Sequence, residues 1–204
     1  MKVVIISGGN TPNQSILNKY ITKDSYIICA DSGLDALTNT NITPNLCVGD
    51  MDSVKSNLMD QTTQIYPKDK DKTDTEIAVD IAIGKGATEA ILLGCCGNRL
   101  DHTLSNINML KILLEHNING KIVDSNNILM LCDSQIQIQS IKNCYCSLIP
   151  LTQCTGIITN GLKYPLKNES LSSKTSRGIS NEFNSNVAKI TIKSGLLLVI
   201  ISKD

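Results

Sequence analysis

The sequence contains no tryptophan, and its aromatic side chains are five tyrosines and one phenylalanine, so any flat platform for a heterocycle falls to a smaller ring. It has no excess of either charge. Nineteen Lys and Arg balance nineteen Asp and Glu in 204 residues, which removes any bulk electrostatic reason to expect nucleic acid or an anionic membrane as partner. No stretch approaches the roughly 20 apolar residues of a membrane span. The longest apolar run, residues 196–201, is strand-sized. Met1-Lys2 leads straight into Val3-Val4-Ile5-Ile6 and then Gly8-Gly9, too short a run for a signal-peptide core, so a cytoplasmic protein is expected. Zinc-knuckle spacing is also missing: Cys95-Cys96 and Cys144-Tyr145-Cys146 lack the usual gap. Without a secretion signal the eight cysteines do not read as a disulfide framework. Neither G-x-G-x-x-G nor G-x-x-x-x-G-K-[ST] occurs, which excludes a Rossmann fingerprint and a P-loop.

What is present is an alternation. Apolar runs at residues 3–6, 26–30, 46–48, 90–93 and 121–123 predict strands, and helical spacing at 13–20, 34–38, 73–85 and 102–116 predicts helices between them. The alternation predicts a mostly parallel sheet with helices on its faces. Beyond Asn127 the texture changes to short, β-branched, partly alternating runs at 128–132, 135–141, 145–149, 155–159, 187–192 and 196–202. That pattern predicts a smaller all-β sandwich. The expected division is therefore 1–126, α/β, and 127–204, β-sandwich. A core as small as the second favours packing on the first domain or on another copy of the chain.

The chain is organised around Val48-Gly49-Asp50-Met51-Asp52-Ser53. A buried strand ends there in a glycine and two carboxylates, at the sheet edge where open α/β folds bind ligands. Two close acids with no basic neighbour in the motif call for a cation, and oxygen-only ligands suit Mg²⁺. In Asp71-Lys72-Thr73-Asp74-Thr75-Glu76, Thr73 and Glu76 fit a capping box that puts Asp74 in the first helical turn. Asp74 either complements the helix dipole or joins Asp50 and Asp52 on a metal. Lys68, Lys70 and Lys72 read as a solvated face from which one can touch phosphate. Gly94-Cys95-Cys96-Gly97-Asn98-Arg99-Leu100-Asp101-His102 joins a strand to a long helix. Its glycines and helix start suit an anionic ligand, and Arg99 offers a fork for phosphate. The plainer readings are an Arg99–Asp101 ion pair and a helix-start role for His102. Gly8-Gly9-Asn10 is a weaker glycine turn. Together these residues indicate a magnesium-dependent enzyme acting on a phosphate-bearing ligand.

In order, Ala30-Asp31-Ser32-Gly33, Gly49-Asp50-Met51-Asp52-Ser53, Asp71-Lys72-Thr73-Asp74, Gly97-Asn98-Arg99-Leu100-Asp101-His102 and Arg177-Gly178-Ile179-Ser180-Asn181-Glu182 resemble the motif series of the thiamine pyrophosphokinases. The resemblance implies an α/β catalytic domain, a C-terminal β-sandwich, and a homodimer with its active site between subunits. It implies transfer of a diphosphoryl group from ATP to the hydroxyl of thiamine, with release of AMP. Asp50, Asp52 and Asp74 match the family's acidic positions for Mg²⁺ and the polyphosphate, and Arg99 with Asp101 its nucleotide-side motif. Asp31 matches an acidic position beside the nucleotide, and Gly33, Asp71, Thr73 and His102 belong to the same ATP-side motifs. Ser180 and Asn181 match the thiamine-holding segment. Two departures stand out. Residues 161–166 resemble a stretch that often carries tryptophan, so Tyr164 is the ring left to stack on thiamine, or else a packed edge residue. Asp31-Ser32-Gly33 replaces a commoner Asp-Gly-Gly. The alternatives are a non-catalytic thiamine or nucleotide sensor and a magnesium phosphohydrolase.

Overall fold

The computed structural model describes residues 1–50, 52, 54, 63–65 and 71–204. It divides into two compact units, Met1–Ser125 and Asn126–Asp204.

In the first unit, strands β1 (Lys2–Ile6), β2 (Tyr26–Ala30), β3 (Leu46–Gly49), β4 (Thr63–Ile65), β5 (Glu89–Leu93) and β6 (Asn119–Val123) lie in the order β6-β5-β1-β2-β3-β4. Every pairing among them is parallel. A parallel sheet is covered on both faces, so its strands are apolar throughout. Val3, Val4, Ile5 and Ile6 are accordingly all fully buried, each contributing about 1.5–3 kcal/mol relative to exposure. The five strands expected here are present. β4 is an addition that three residues without apolar periodicity do not announce.

Helices α1 (Gln14–Tyr20), α2 (Asp74–Gly84) and α3 (Leu100–Glu115) form the connections. Asn13 caps α1 by accepting from the Ile16 N–H at 3.0 Å. The helix expected at 34–38 is a 3-10 turn, Asp31–Leu37. It starts on Asp31 with φ +48, a conformation that regular helix does not accommodate. From β1 the chain runs outward to β4 and then returns to β5 on the other side of β1. That reversal opens a crevice between the carboxyl ends of β1 and β5, the place where open α/β sheets take ligands.

The second unit is a β-sandwich. β7 (Asn127–Cys132), β9 (Tyr145–Pro150), β14 (Leu197–Ser202) and β12 (Asn181–Glu182) lie in one sheet, order β12-β9-β14-β7. β8 (Gln135–Gln139), β10 (Cys154–Asn160), β11 (Lys167–Leu171) and β13 (Val187–Thr191) form the other, order β11-β10-β13-β8. All described pairings are antiparallel. Alternate residues of both sheets, among them Met130, Ile138, Leu148, Ile157, Ile190 and Val199, fill one core. β11 and β12 escape sequence reasoning because Lys-Asn-Glu-Ser-Leu is polar edge strand and β12 has only two residues. Among the described residues no helix is long and apolar enough to cross a membrane.

Candidate active site

The floor of the crevice is glycine backbone. Beyond β1, the Gly9 N–H donates to the Gly94 carbonyl at 2.8 Å and the Asn10 N–H to the Cys96 carbonyl at 2.6 Å. A Cβ on Gly9 would lie 2.4 Å from the Cys96 oxygen, and one on Gly94, at φ +64, 2.1 Å from the Ser7 oxygen. Only glycine lets the two loops close on each other so tightly. The cleft above them has a volume of about 730 Å³, within the range of small-molecule sites.

Its walls carry the acids. Gly49 ends β3 at φ +143, and a Cβ there would sit 3.2 Å from the Asp31 backbone. The missing side chain brings the end of β3 against Asp31. Carboxylate oxygens of Asp31, Asp50 and Asp52 lie within 4.8 Å of one another. The Asp52 N–H donates to Asp50 Oδ1 at 3.2 Å, turning the chain back on itself. Asp74 lines the same cleft from α2 but stands outside that trio. Asp31, Asp50 and Asp74 thus share one cleft; Asp52 is not among its lining residues but stands beside it in the trio with Asp31 and Asp50.

Thr73 is the N-cap of α2, its hydroxyl accepting from the Glu76 N–H at 3.2 Å. Asp71, Thr73 and Asp74 all line the cleft. Lys72 lines it too, but its ammonium is held by Asp80 and Glu76. Lys68, Lys70 and Ser53 lie outside the described residues.

Arg99 occupies the N-cap position of α3 and lines the cleft with His102. Its side chain makes no cap bond; it donates to Asp101, Nη2 to Oδ2 at 2.6 Å and Nε to Oδ1 at 3.3 Å. The pair raises the Arg99 pKa and lowers that of Asp101, each through the hydrogen bond to the other. Both side chains are well exposed, so the pair is weak and Arg99 can exchange Asp101 for a phosphate. Asp101 itself is not among the residues that line the cleft. Gly33 does not line it either. A Cβ there would meet the Ile6 oxygen at 2.0 Å, so this glycine seats the 3-10 turn on β1.

Sequence reasoning missed a polar group beneath the cleft. Ser7, Thr75 and Asn106 are buried and line its base. Asn106 had a legible signal: it shares the buried face of α3 with Met109, Leu110 and Leu113 at helical spacing. Cys95 and Cys96 also line the cleft. Burial pushes Cys95 up to about 12, and burial followed by the Asp124 carboxylate does the same to Cys96.

The remaining expected residues belong to the second unit. Tyr164 is 59% exposed, with the Lys163 ammonium 5.4 Å from its ring centroid. Asn181 is buried and clasps the Tyr164 backbone, accepting from its N–H at 3.0 Å and donating to its carbonyl at 2.7 Å. Ser180, at φ +55, is exposed and donates its N–H to Ser147 Oγ at 2.9 Å.

Comparison with known families decides the family. The model described as "Thiamin pyrophosphokinase, catalytic domain" matches residues 17–122, and "Thiamin pyrophosphokinase, vitamin B1 binding domain" matches 133–197. The chain belongs to the thiamine pyrophosphokinase family. It is 29% identical to a thiamine pyrophosphokinase of Bacillus subtilis over the full length of both chains. The crystal structure of thiamine pyrophosphokinase from Bacillus subtilis superposes with a TM-score of 0.92 at 26% identity, again covering both chains completely. That of thiamin pyrophosphokinase from Geobacillus thermodenitrificans gives 0.89 at 29%, covering 100% of this chain and 98% of the other. The segment matching the family's catalytic domain holds the acidic trio Asp31, Asp50 and Asp52 together with Asp74 and Arg99. The segment matching its vitamin B1 binding domain holds Tyr164, Ser180 and Asn181.

Proposed function

We propose that the cleft of the first unit binds ATP with Mg²⁺ and that the chain transfers the diphosphoryl group of ATP to the hydroxyl of thiamine. As a member of its family, this chain is an enzyme of the thiamine pyrophosphokinase type. The observation that carries the site assignment is the convergence of Asp31, Asp50 and Asp52 within 4.8 Å beside a glycine-floored cleft.

The donor set is all oxygen, which fits Mg²⁺ and not a nitrogen- or sulfur-seeking metal. Asp50 and Asp52 would hold the ion with Asp31, and Asp74 faces the same space from α2. When bound, Mg²⁺ would neutralise charge on the polyphosphate, the main requirement of phosphoryl transfer. Gly9 and Gly94 let the two floor loops pack tightly under the cleft, and the start of α3 favours the charge of phosphate oxygens. Arg99, released from Asp101, adds a planar cation on the same side. In the reaction the thiamine hydroxyl oxygen bonds to the β-phosphorus, the bond from that phosphorus to the bridging α–β oxygen breaks, AMP departs, and the hydroxyl proton is lost.

Thiamine is assigned to the second unit, with the Tyr164 ring as platform and the Ser180 hydroxyl as polar contact. Asn181, whose amide is engaged on Tyr164, shapes that surface. The working enzyme is proposed to be a cytoplasmic homodimer with its site between subunits. Incubation with ATP, Mg²⁺ and thiamine should yield thiamine diphosphate and AMP in equal amounts. Phosphate release without thiamine, or tight thiamine binding without AMP, would overturn the assignment.

A further inference from the structure

Four buried polar groups form a continuous seam beneath the cleft. The Thr75 and Ser7 hydroxyls are hydrogen-bonded at 2.9 Å. The Cys95 thiol donates to Ser7 Oγ at 3.5 Å, and Asn106 Nδ2 donates to the Cys95 carbonyl at 2.9 Å. Each member comes from a different part of the first unit: the first turn of α2, the end of β1, the loop after β5, and the middle of α3. Thr75 directly follows Asp74. Cys95 lies inside the Gly94–Gly97 loop, and Asn106 stands two turns beyond Arg99.

We propose that this seam is a positioning device for the transfer reaction, in which the Thr75–Ser7 hydroxyl pair sets Asp74 in register with the glycine loops and Arg99. The inference rests on the function proposed above. Apolar packing alone would hold α2 against the sheet, because Ile77, Ala78, Val79 and Ala82 are already buried. Such contacts are non-directional. A hydrogen bond has a preferred distance and angle, so the hydroxyl pair fixes what packing leaves loose: the rotation and rise of the turn that carries Asp74. Thr75 and Ser7 are positioning residues, acting through Asp74 and through the loop that Cys95 belongs to.

The test is steady-state kinetics of the full chain with ATP, Mg²⁺ and thiamine. Thr75→Val keeps the shape and removes the hydroxyl; Thr75→Ser keeps the hydroxyl. Displacement of a group by about 1 Å can cost up to ~100-fold in rate. Thr75→Val is therefore expected to lower kcat about tenfold or more, to raise the Mg²⁺ concentration for half-maximal rate, and to leave the thiamine KM within about twofold. Thr75→Ser should restore kcat. Ser7→Ala should reproduce the loss, and the double variant should lose no more than either single one, as coupled partners do. If Thr75→Val does not fold, Ser7→Ala is read by the same criteria. A kcat per folded molecule within twofold of the parent, or additive losses in the double variant, would overturn the proposal. Failure of the parent chain to form AMP would instead refute the assigned function.

Discussion

Gly49 is packed against Asp31, where a Cβ would lie 3.2 Å from the Asp31 backbone, and it adopts φ +143. An L side chain at this position meets both a crowded neighbour and a disfavoured backbone. Gly49→Ala is expected to destabilise the chain by about 1–3 kcal/mol and to part Asp50 from Asp31. Urea unfolding reads the first effect and the Mg²⁺ dependence of AMP formation the second. An alanine variant with unchanged midpoint and unchanged Mg²⁺ requirement would contradict this account of the glycine.

The carboxylates differ in what their loss should do. Asp52→Asn keeps shape and removes charge from the trio, and the expected result is a fall in kcat of about 100-fold or more with little change in stability. Asp31→Asn should act mainly through the metal, raising the Mg²⁺ needed for half-maximal rate. Isothermal titration of Mg²⁺ in the presence of a non-hydrolysable ATP analogue separates the two effects.

Strand ends were the legible part of this chain, because an apolar run that stops at glycine and acid has one physical reading. It put Asp50, Asp74 and Arg99 at one sheet edge, and all three line the cleft. The place of Asp31 within the acidic trio was not legible, since it depends on Gly49 pressing β3 onto the turn after β2. Gly33 shows the converse. Its motif position suggests ligand contact, whereas its contact with the Ile6 carbonyl makes it a seat for backbone. Short polar strands such as Lys167–Leu171 carry no periodic signal, because they gain their place from neighbours and bury little themselves.

Asn181 and Tyr164 should separate cleanly under mutation. Asn181 is buried, and removing its amide leaves the Tyr164 N–H and carbonyl without their partner. Asn181→Ala is expected to cost about 1–3 kcal/mol in stability. Tyr164→Ala removes a mostly exposed ring and should change stability by no more than about 0.5 kcal/mol. Its effect belongs to the thiamine KM, which should rise while the ATP KM holds. Equal thiamine KM values for Tyr164→Ala and parent would remove the ring from the site.

Buried thiols should weaken the fold at alkaline pH. Burial pushes Cys95, Cys96 and Cys146 up to about 12 and Cys132 to about 11, from an ordinary value of 9.0. The Cys29 thiol is also raised, by its hydrogen bond to Cys47 and then by burial. A group whose pKa is higher in the folded chain favours folding while both states are protonated, and that advantage is lost as pH rises through the two values. The thermal midpoint should therefore be insensitive to these thiols below about pH 9 and fall progressively between about pH 9 and 12. Cys146→Ala removes one such titration and should flatten that part of the profile, even where cavity formation lowers its midpoint at pH 7. The low thiolate fraction also predicts slow alkylation of Cys96 by iodoacetamide at pH 8 despite its place in the cleft wall. Rapid labelling of Cys96 in the folded chain, located by peptide mass mapping, would show that its thiol is not held protonated.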